Sequence, residues 1–390
     1  MKTKGAQARL STKARDLPLS GIRVIYDKAQ LIPDVIHLEI GEPDLPTPAH
    51  IAKAGQEAIS NGLTRYTPSA GTPELREAIA RKLRSENSLD YDSSEIVVTS
   101  GANVGLSLAM LALVDPGSEV LTPNPGWANY EPLMKLVQAT PTYYSLREED
   151  QFRPRIGEMT SLVTDRTRAI LLNSPSNPTG GVLEKDDLEG ISDLARKKDL
   201  LVIADEVYEK LVYDGAEHHS IAKFEGMKDR TVTINAFSKT YRMTGWRLGY
   251  AAGPKEVISA MVRLNSCMNT CSSSVSQAAG VAALNGPQDC VKEMVGEFAS
   301  RRDMFVKGLN QIQGFRSMTP KGAFYAFANA SSVDASSFDL CLRLLEKAKV
   351  ATVPGVSFGS RGEGYLRFSY AAPRHQLKEA LARIGSLGSI

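Results

Sequence analysis

Short runs of apolar residues alternate with stretches of helical periodicity from about residue 46 onward. The apolar runs predict six strands, at Ile96–Val98, Glu119–Leu121, Arg168–Leu172, Leu201–Ala204, Thr231–Ile234 and Gly249–Ala252. Because nearly all residues in these runs are apolar, the strands should lie in a mostly parallel sheet that is covered on both faces. The pattern therefore predicts an α/β fold.

The stretches between the strands predict helices. Thr72 and Pro73 suit the cap and the first turn of one helix, and apolar residues recur every four positions behind them. Two further helices are predicted over Leu106–Leu113 and Leu183–Ala195. Helices that alternate with strands are the expected covers of a parallel sheet.

The last hundred residues have a different character. A long helix is predicted at about 290–312, then the run Gly322–Phe327, a helix near Phe338–Lys347, the run Arg361–Tyr370 and a C-terminal helix. These elements predict a smaller α+β unit. At ~150 residues per domain, a chain of 390 residues should form two or three domains. We divide it into an N-terminal segment (1–45) that joins the small domain, a large domain (46–288) and a small domain (289–390).

The first forty residues carry no strong periodic pattern. We expect a flexible start, followed by an approach segment that ends at Ile36–Pro43. The basic N-terminus lacks the apolar region of a signal peptide, so we expect a cytoplasmic protein, with a transit peptide as the alternative. No apolar run approaches ~18 residues, so no membrane span is expected.

Composition narrows the functional classes further. The 46 Lys+Arg and 44 Asp+Glu residues give a net charge of +2, so the chain as a whole lacks the basic excess of a nucleic-acid-binding protein. Four cysteines in 390 residues do not form a disulfide framework. Cys267 and Cys271 are four residues apart but have no histidine or second cysteine pair nearby, so no metal site is expected.

Polar residues follow the strands at the points where they end. Asn177 follows the run at Arg168–Leu172, while Asp205 and Tyr208 follow the next run, and Lys239 comes after Thr231–Ile234. In open parallel sheets, ligands bind beyond the carboxyl ends of the strands. We therefore expect an amide, a carboxylate, a phenol and an amine to gather at one edge.

Three segments carry a resemblance to a known family. Asn177–Gly180, Asp205–Tyr208 and Ser238–Gly249, in this order, closely resemble the class I and II aminotransferases, fold-type-I enzymes that use pyridoxal 5′-phosphate (PLP). The similarity runs from about Ser20 to the C-terminus and is greatest to the prokaryotic aspartate and aromatic branch. It implies a large PLP-binding domain with a mostly parallel seven-stranded sheet between helices, and a smaller α+β domain.

The resemblance assigns roles around the cofactor ring. Lys239 matches the lysine that forms a Schiff base with the PLP aldehyde and then moves the substrate's Cα proton. Asp205 matches the carboxylate that keeps the ring nitrogen protonated. Asn177 and Tyr208 match the residues that hydrogen-bond the ring's phenolic oxygen. The plainer alternatives are a surface lysine, a helix-capping aspartate, a turn asparagine and a core-edge tyrosine.

The phosphate of PLP also has expected ligands. Gly101, Ala102 and Asn103 begin a helix directly after a strand, where free backbone N–H groups and the helix dipole hold anions. Ser238 and Arg247 match the family's phosphate ligands, and arginine adds a permanent bidentate charge.

Four further residues complete the expected site. Tyr66 matches a residue that reaches the phosphate from the neighbouring subunit, which implies a homodimer with shared active sites. Trp127 matches the aromatic ring that stacks on the pyridine. Arg367 matches the arginine that binds the substrate α-carboxylate, and Gly41 matches a glycine whose backbone borders that site. Gly41, Trp127, Asn177 and Arg367 are therefore the expected substrate-binding residues. Core packing of the two aromatics and a surface arginine are the alternatives.

Two cations that relatives use to bind acidic substrates are missing from this chain, and their absence predicts which amino-acid side chain the enzyme prefers. One branch of the family binds acidic substrates with a lysine where this chain has Asn103, and another uses an arginine from the segment that matches 266–270. Neither cation is present, so a neutral or aromatic amino donor is favoured. The N-terminal residues and Arg242 stay open as other sources of positive charge.

The expected reaction is transamination to a 2-oxo acid such as 2-oxoglutarate. Another PLP reaction on the same scaffold is the alternative, either a C–S or β,γ-lyase or an oxygen-using amino-acid oxidase or hydroxylase. A non-enzymatic regulator is a third possibility, but the chain carries no appended DNA-binding segment. Lys239 and Asp205 would serve both enzymatic alternatives, so the sequence separates them poorly.

Overall fold

The computed structural model describes residues 10–17 and 21–387. The predicted N-terminal segment at 1–45 is therefore described only in part, since residues 1–9 and 18–20 lie outside the described residues.

The strands are, in chain order, β1 (Ile36–His37), β2 (Ile96–Thr99), β3 (Glu119–Asn124), β4 (Thr140–Ser145), β5 (Thr167–Asn173), β6 (Leu201–Asp205), β7 (Thr231–Ala236), β8 (Gly249–Ala252), β9 (Arg316–Ser317), β10 (Tyr325–Asn329), β11 (Val350–Ala351), β12 (Val353–Pro354) and β13 (Tyr365–Ser369). The helices are α1 (Thr12–Asp16), α2 (Gly21–Ala29), α3 (Ala49–Ser60), α4 (Pro73–Asn87), α5 (Ala102–Leu113), α6 (Tyr130–Leu136), α7 (Ile156–Leu162), α8 (Lys185–Lys197), α9 (Phe237–Thr240), α10 (Lys255–Met268), α11 (Ser274–Asn285), α12 (Asp289–Leu309), α13 (Ser337–Arg343) and α14 (Arg374–Gly385).

The central sheet has seven strands within the described part of the chain, in the order β2-β8-β7-β6-β5-β3-β4. Neighbouring strands from β7 to β4 run parallel, while β8 is antiparallel to both β2 and β7. All six predicted strands fall inside observed ones, and the predicted mostly parallel sheet is confirmed. Every residue of β2, β7 and β8 is buried, as continuous apolar runs require.

The edge strand β4 was not predicted. It pairs only with β3, and its sequence, Thr-Pro-Thr-Tyr-Tyr-Ser, is mostly exposed or half-buried until its last two residues. An edge strand with a solvent-facing side needs no continuous apolar run, so β4 lacks the feature by which the other strands were predicted.

The predicted helices are present. The Thr72 hydroxyl caps α4 by accepting a hydrogen bond from the Leu75 N–H. Helix α5 contains its predicted stretch, α8 begins two residues later than predicted, α12 ends about three residues earlier than predicted, and α14 is the predicted C-terminal helix. The helix predicted near Phe338–Lys347 is α13, which continues as a π-helical turn over Leu344–Ala348.

The N-terminal segment packs with the C-terminal elements. β1 pairs in parallel with β11, and Ile25 and Ala29 of α2 share one core with Phe298, Phe324 and other residues of the last hundred. Helix α2 was missed in the segment expected to be irregular. Only these two residues of the helix are buried, and two apolar positions are too few to show helical periodicity in the sequence. The domain boundaries at 45 and 288 stay a prediction.

The last hundred residues form a four-stranded antiparallel sheet in the order β12-β13-β10-β9, flanked by helices. None of the helices in the described ranges combines the length and the apolar character that a membrane span requires.

Candidate active site

A cavity of about 490 Å³ lies at the carboxyl ends of β5, β6 and β7. Of the residues predicted for the site, those that line it are Gly41, Ala102, Asn103, Trp127, Asn177, Asp205, Tyr208, Ser238, Lys239, Arg247 and Arg367. Gly101 and Tyr66 do not line it. The structure thus brings together residues from the N-terminal segment, the central sheet and the C-terminal sheet.

Lys239 lies on α9, directly after β7, and its amine reaches the N-terminal segment. The Nζ atom donates a hydrogen bond to the Gly41 carbonyl oxygen over 2.6 Å. Burial lowers the pKa of Lys239 to about 8, with a further lowering from Arg247 and Arg367 that Glu42 opposes. The neutral fraction of this amine near neutral pH is therefore much larger than that of a lysine with the ordinary pKa of 10.5, and only the neutral form acts as a nucleophile or base.

Asp205 is the last residue of β6 and is buried. Its Oδ2 accepts a hydrogen bond from the Tyr130 hydroxyl over 2.7 Å, and its Oδ1 accepts one from the Val207 N–H over 3.4 Å. Burial raises the pKa of Asp205 to about 6, although the Tyr130 hydrogen bond acts in the opposite direction. A buried carboxylate with no ion-pair partner among the described residues is suited to face a cationic ring nitrogen.

Arg367 lies deep in the cavity, with 2% of its surface exposed. Its Nη1 donates to Asn177 Oδ1 over 3.0 Å and its Nη2 to the Glu39 carbonyl oxygen over 2.5 Å, while the guanidinium lies 4.4 Å from the centre of the Tyr325 ring. The buried Nε atom has no hydrogen-bond partner among the described residues. A guanidinium that lines a cavity in this way fits an anionic ligand such as a carboxylate.

Hydrogen bonds tie the strand ends to one another. The Asn177 N–H donates to Asn173 Oδ1 over 2.8 Å, and Asn173 Nδ2 donates to the Asp205 carbonyl oxygen over 3.1 Å. The hydroxyl oxygens of Tyr208 and Tyr325 lie 2.8 Å apart, which joins the central sheet to β10. These contacts hold the polar side chains in fixed positions around the cavity.

The start of α5 forms an anion cradle. Gly101 has φ +89° and no side chain to cap the helix, and a Cβ on it would lie 2.5 Å from Arg247 Nη2. Glycine is therefore required for the guanidinium to approach the helix start. Since the first-turn N–H groups of a helix lack intrahelical acceptors, those at Ala102 and Asn103 can bind a phosphate beside Ser238 and Arg247.

The donor set as a whole fits PLP. A helix start with a serine and an arginine suits the phosphate, a buried carboxylate suits the ring nitrogen, and a neutral amine suits the aldehyde. Trp127 lines the same cavity, and its ring packs edge-on against Tyr130 at 5.4 Å between centroids. Tyr130 therefore contacts both the wall of the site and its buried carboxylate.

Several lining residues were not predicted from the sequence: Ile22, Arg23, Tyr26, Glu39, Ile40, Leu106, Asn129, Asn173, Val207, Ala236 and Tyr325. Tyr130 was missed as the partner of Asp205. Its position three residues after Trp127, at the start of α6, was an available signal. Seven of the unpredicted lining residues lie within four residues of a predicted site residue along the chain, whereas Ile22, Arg23, Tyr26 and Tyr325 come from segments that meet the site only in the folded chain.

The remaining predicted residues lie elsewhere. Tyr66 is 88% exposed in the single chain. Arg242 lines a neighbouring pocket with Glu42, Thr47 and Trp246, and residues 266–270 lie at the end of α10, outside the cavity.

Comparisons with known proteins place the chain in a family. The family model for aminotransferase class I and II matches residues 33–384. An aspartate aminotransferase of Pyrococcus abyssi is 44% identical over 94% of each chain, and an aromatic-amino-acid aminotransferase of Thermococcus litoralis is 42% identical over 96% of this chain and 97% of the relative.

Solved structures give the same result. An aromatic aminotransferase from Pyrococcus horikoshii is 44% identical, with a TM-score of 0.89 over 93% of this chain and 98% of that one. The aspartate aminotransferase of Rhizobium meliloti is 40% identical, with a TM-score of 0.93 over 97% of this chain and 98% of that one. The chain therefore belongs to the class I and II aminotransferases, PLP-dependent enzymes that transfer the amino group of an amino acid to a 2-oxo acid.

Proposed function

We propose that this aminotransferase uses a neutral or aromatic L-amino acid as donor and 2-oxoglutarate as acceptor, with Lys239 as the catalytic amine. The observation that carries the proposal is the shared cavity of Lys239, Asp205, Arg247 and Arg367, which offers one amine, one buried carboxylate and two guanidinium groups. The lyase and oxygen-using alternatives are not favoured, since the named relatives are aminotransferases.

The cofactor, when bound, supplies an aldehyde that reacts with amines and a ring that accepts electrons. The helix start at Gly101–Asn103, together with Ser238 and Arg247, would hold the phosphate. Asp205 would keep the proton on the ring nitrogen, and the Tyr130 hydroxyl would hold the Asp205 carboxylate in its charged form.

The rest of the cavity would orient the ring and the substrate. Asn177 and Tyr208 would hydrogen-bond the phenolic oxygen of the cofactor, and Trp127 would cover one face of the ring. Arg367 would bind the substrate α-carboxylate with its planar fork, on the side where the Gly41 backbone lies. A Cβ on Gly41 would lie 2.2 Å from the Tyr325 hydroxyl, so a glycine is needed to keep this wall of the site.

Lys239 would then carry out the proton transfer. Its lowered pKa makes the neutral amine available, so it can take the proton from the substrate Cα and return it to the cofactor side. The half-buried position of Lys239 limits its contact with bulk water, which favours transfer between fixed partners.

The wall around the substrate supports an uncharged donor side chain. Ile22, Tyr26 and Ile40 line the cavity with apolar or aromatic surface, and Asn103 contributes a neutral amide. A half-buried apolar wall of this kind favours neutral and aromatic side chains because they are buried against it without the desolvation of a charge.

A homodimer with shared sites is part of the proposal. Tyr66 is a large aromatic that is almost fully exposed, and Ile59 and Leu63 before it are more than half exposed. Exposed apolar side chains of this kind mark interaction surfaces. The cytoplasmic location expected from the sequence stays a prediction.

Reduction with borohydride should attach the cofactor to Lys239. When cofactor-free protein is mixed with PLP, the trapping rate should rise with pH through about 8, because only the neutral amine reacts. Peptide mass spectrometry locates the adduct. Lys239→Ala should lose it, whereas Lys255→Ala, which changes an exposed lysine, should keep it. An adduct on another lysine would identify a different catalytic amine.

Asp205→Asn should lower kcat by about 10²- to 10³-fold, because a neutral amide cannot keep the ring nitrogen protonated. Single-turnover absorbance with a neutral amino acid measures the loss, and circular dichroism checks the fold. Asp165→Asn changes an exposed carboxylate outside the cavity and serves as the matched control. Turnover of Asp205→Asn within a few-fold of the wild type would mean that the ring nitrogen has another partner.

A panel of amino acids, each mixed with the PLP enzyme without a 2-oxo acid, tests the donor preference. We expect phenylalanine and leucine to react at least about 10-fold faster than aspartate, since their side chains gain free energy by packing against Ile22, Tyr26 and Ile40 without desolvation of a charge. One equivalent of 2-oxo acid should form and then stop, which is the signature of a half-reaction. Aspartate as the fastest donor would overturn the preference.

Mixed dimers test the role of Tyr66. Lys239→Ala and Tyr66→Ala subunits should each be poorly active alone, yet their mixture should regain activity. In the hybrid, one site combines an intact Lys239 with the partner chain's intact tyrosine. Tyr66→Phe, which retains the ring, is the milder comparison. A mixture no more active than its components would place Tyr66 outside the shared site, and a monomer in analytical ultracentrifugation would exclude sharing altogether.

A further inference from the structure

The hydroxyl of Tyr325 lies beside that of Tyr208, and the proposed function assigns it no task toward the cofactor. Tyr325 is the first residue of β10, lines the cavity and is 1% exposed. The two hydroxyl oxygens are 2.8 Å apart, and either can donate the hydrogen bond between them. Among the described residues, each of these hydroxyls has only the other as its hydrogen-bond partner.

The number of protons in this pair limits what Tyr208 can do. Each hydroxyl donates one proton, and one of the two protons is used between the tyrosines. If Tyr208 donates to Tyr325, it has no proton left for the phenolic oxygen of the cofactor. If Tyr325 donates instead, the proton of Tyr208 is free for that oxygen. The contact proposed between Tyr208 and the cofactor therefore requires Tyr325 to donate to Tyr208.

The position of Arg367 favours this direction of the hydrogen bond. In the antiparallel pair of β10 and β13, Tyr325 is opposite Ser369 and Phe327 is opposite Arg367. Tyr325 and Arg367 are therefore diagonal neighbours on one face of the sheet, and the guanidinium lies 4.4 Å from the centre of the Tyr325 ring. Donation makes the phenol oxygen more negative, and a nearby cation stabilises that charge.

Packing fixes the place of the Tyr325 hydroxyl. The rings of Tyr208 and Tyr325 meet edge-on with centroids 5.8 Å apart, and Phe324 contacts Tyr208 at 5.4 Å between centroids. On its other side the hydroxyl lies against Gly41, where a Cβ would be 2.2 Å away. The oxygen is thus held between the backbone of the N-terminal segment and the hydroxyl of Tyr208.

We propose that Tyr325 is a positioning residue that acts on the cofactor through Tyr208. Its hydroxyl donates to Tyr208 and so directs the Tyr208 proton to the phenolic oxygen, while its ring stays beside Arg367. Successive hydrogen bonds polarise one another, so this donation also strengthens the one from Tyr208. The inference rests on the proposed function and adds to it a residue of the C-terminal sheet.

Absorbance titration of the PLP enzyme tests the proposal. It measures the pH at which the nitrogen that joins Lys239 to the cofactor loses its proton. That loss leaves more negative charge on the phenolic oxygen, so a donor to this oxygen lowers the midpoint. Tyr208→Phe should raise the midpoint by about 1 to 2 pH units, and Tyr325→Phe by about 0.3 to 0.6 unit. In the Tyr208→Phe background, Tyr325→Phe should cause no further shift, because it acts only through Tyr208.

A control variant and a binding measurement separate this role from a structural one. Tyr370→Phe is the matched control, since Tyr370 is fully buried in the same core as Tyr325 but does not line the cavity. Its midpoint should equal that of the wild type. Calorimetry with 3-phenylpropanoate, a carboxylate without an amino group, gives the second readout. Tyr325→Phe retains the ring beside Arg367, so its Kd should stay within about 3-fold of the wild type.

Four results would each overturn the role of Tyr325. They are an unchanged midpoint in Tyr325→Phe, a further shift when this change is added to Tyr208→Phe, a Tyr370→Phe shift as large as that of Tyr325→Phe, and a loss of 3-phenylpropanoate binding in Tyr325→Phe. Failure of the proposed function is seen separately. An unchanged midpoint in Tyr208→Phe would overturn the contact of Tyr208 with the cofactor and the inference with it, whereas a shift in Tyr208→Phe alone would overturn only the inference.

Discussion

The parallel alignment of β5, β6 and β7 is the constraint on which the site depends. Strands that run in the same direction end at the same edge, and their register places Asn173 beside Asp205 and Asp205 beside Ile234. The residues that follow these strands, including Lys239 on α9, therefore meet without any need for proximity in sequence. Polar and charged side chains, which would be costly inside a buried apolar sheet, lie just beyond its edge, where a ligand can reach them.

Burial gives these groups their chemistry. Removal from water lowers the pKa of Lys239 to about 8 and raises that of Asp205 to about 6, so each value moves toward neutrality. The Tyr130 hydroxyl limits the shift of Asp205 by stabilising its charged form. The same tyrosine packs against Trp127, so the electrostatics and the shape of the cavity depend on one buried side chain.

The N-terminal segment completes the site from the opposite side. The carbonyl oxygens of Glu39 and Gly41 accept hydrogen bonds from Arg367 and Lys239, respectively. Helix α2 then brings Arg23 to the mouth of the cavity. Since this segment packs with the C-terminal core, the substrate side of the site is built from the two ends of the chain. Under the proposed function, the substrate side chain would therefore contact parts of the protein that are far from Lys239 in sequence.

The sequence alone determined the buried parts of the fold and the residues that are proposed to carry the chemistry. Continuous apolar runs identify strands such as β6 because both of their faces are buried, and Lys239 and Asp205 stand out because they follow such runs within recognisable motifs. Only the tertiary structure decided that Tyr130 contacts Asp205 and that Arg23 lines the cavity. Hydrogen bonds and cavity walls are made between segments distant in the chain, and local periodicity carries no information about such contacts.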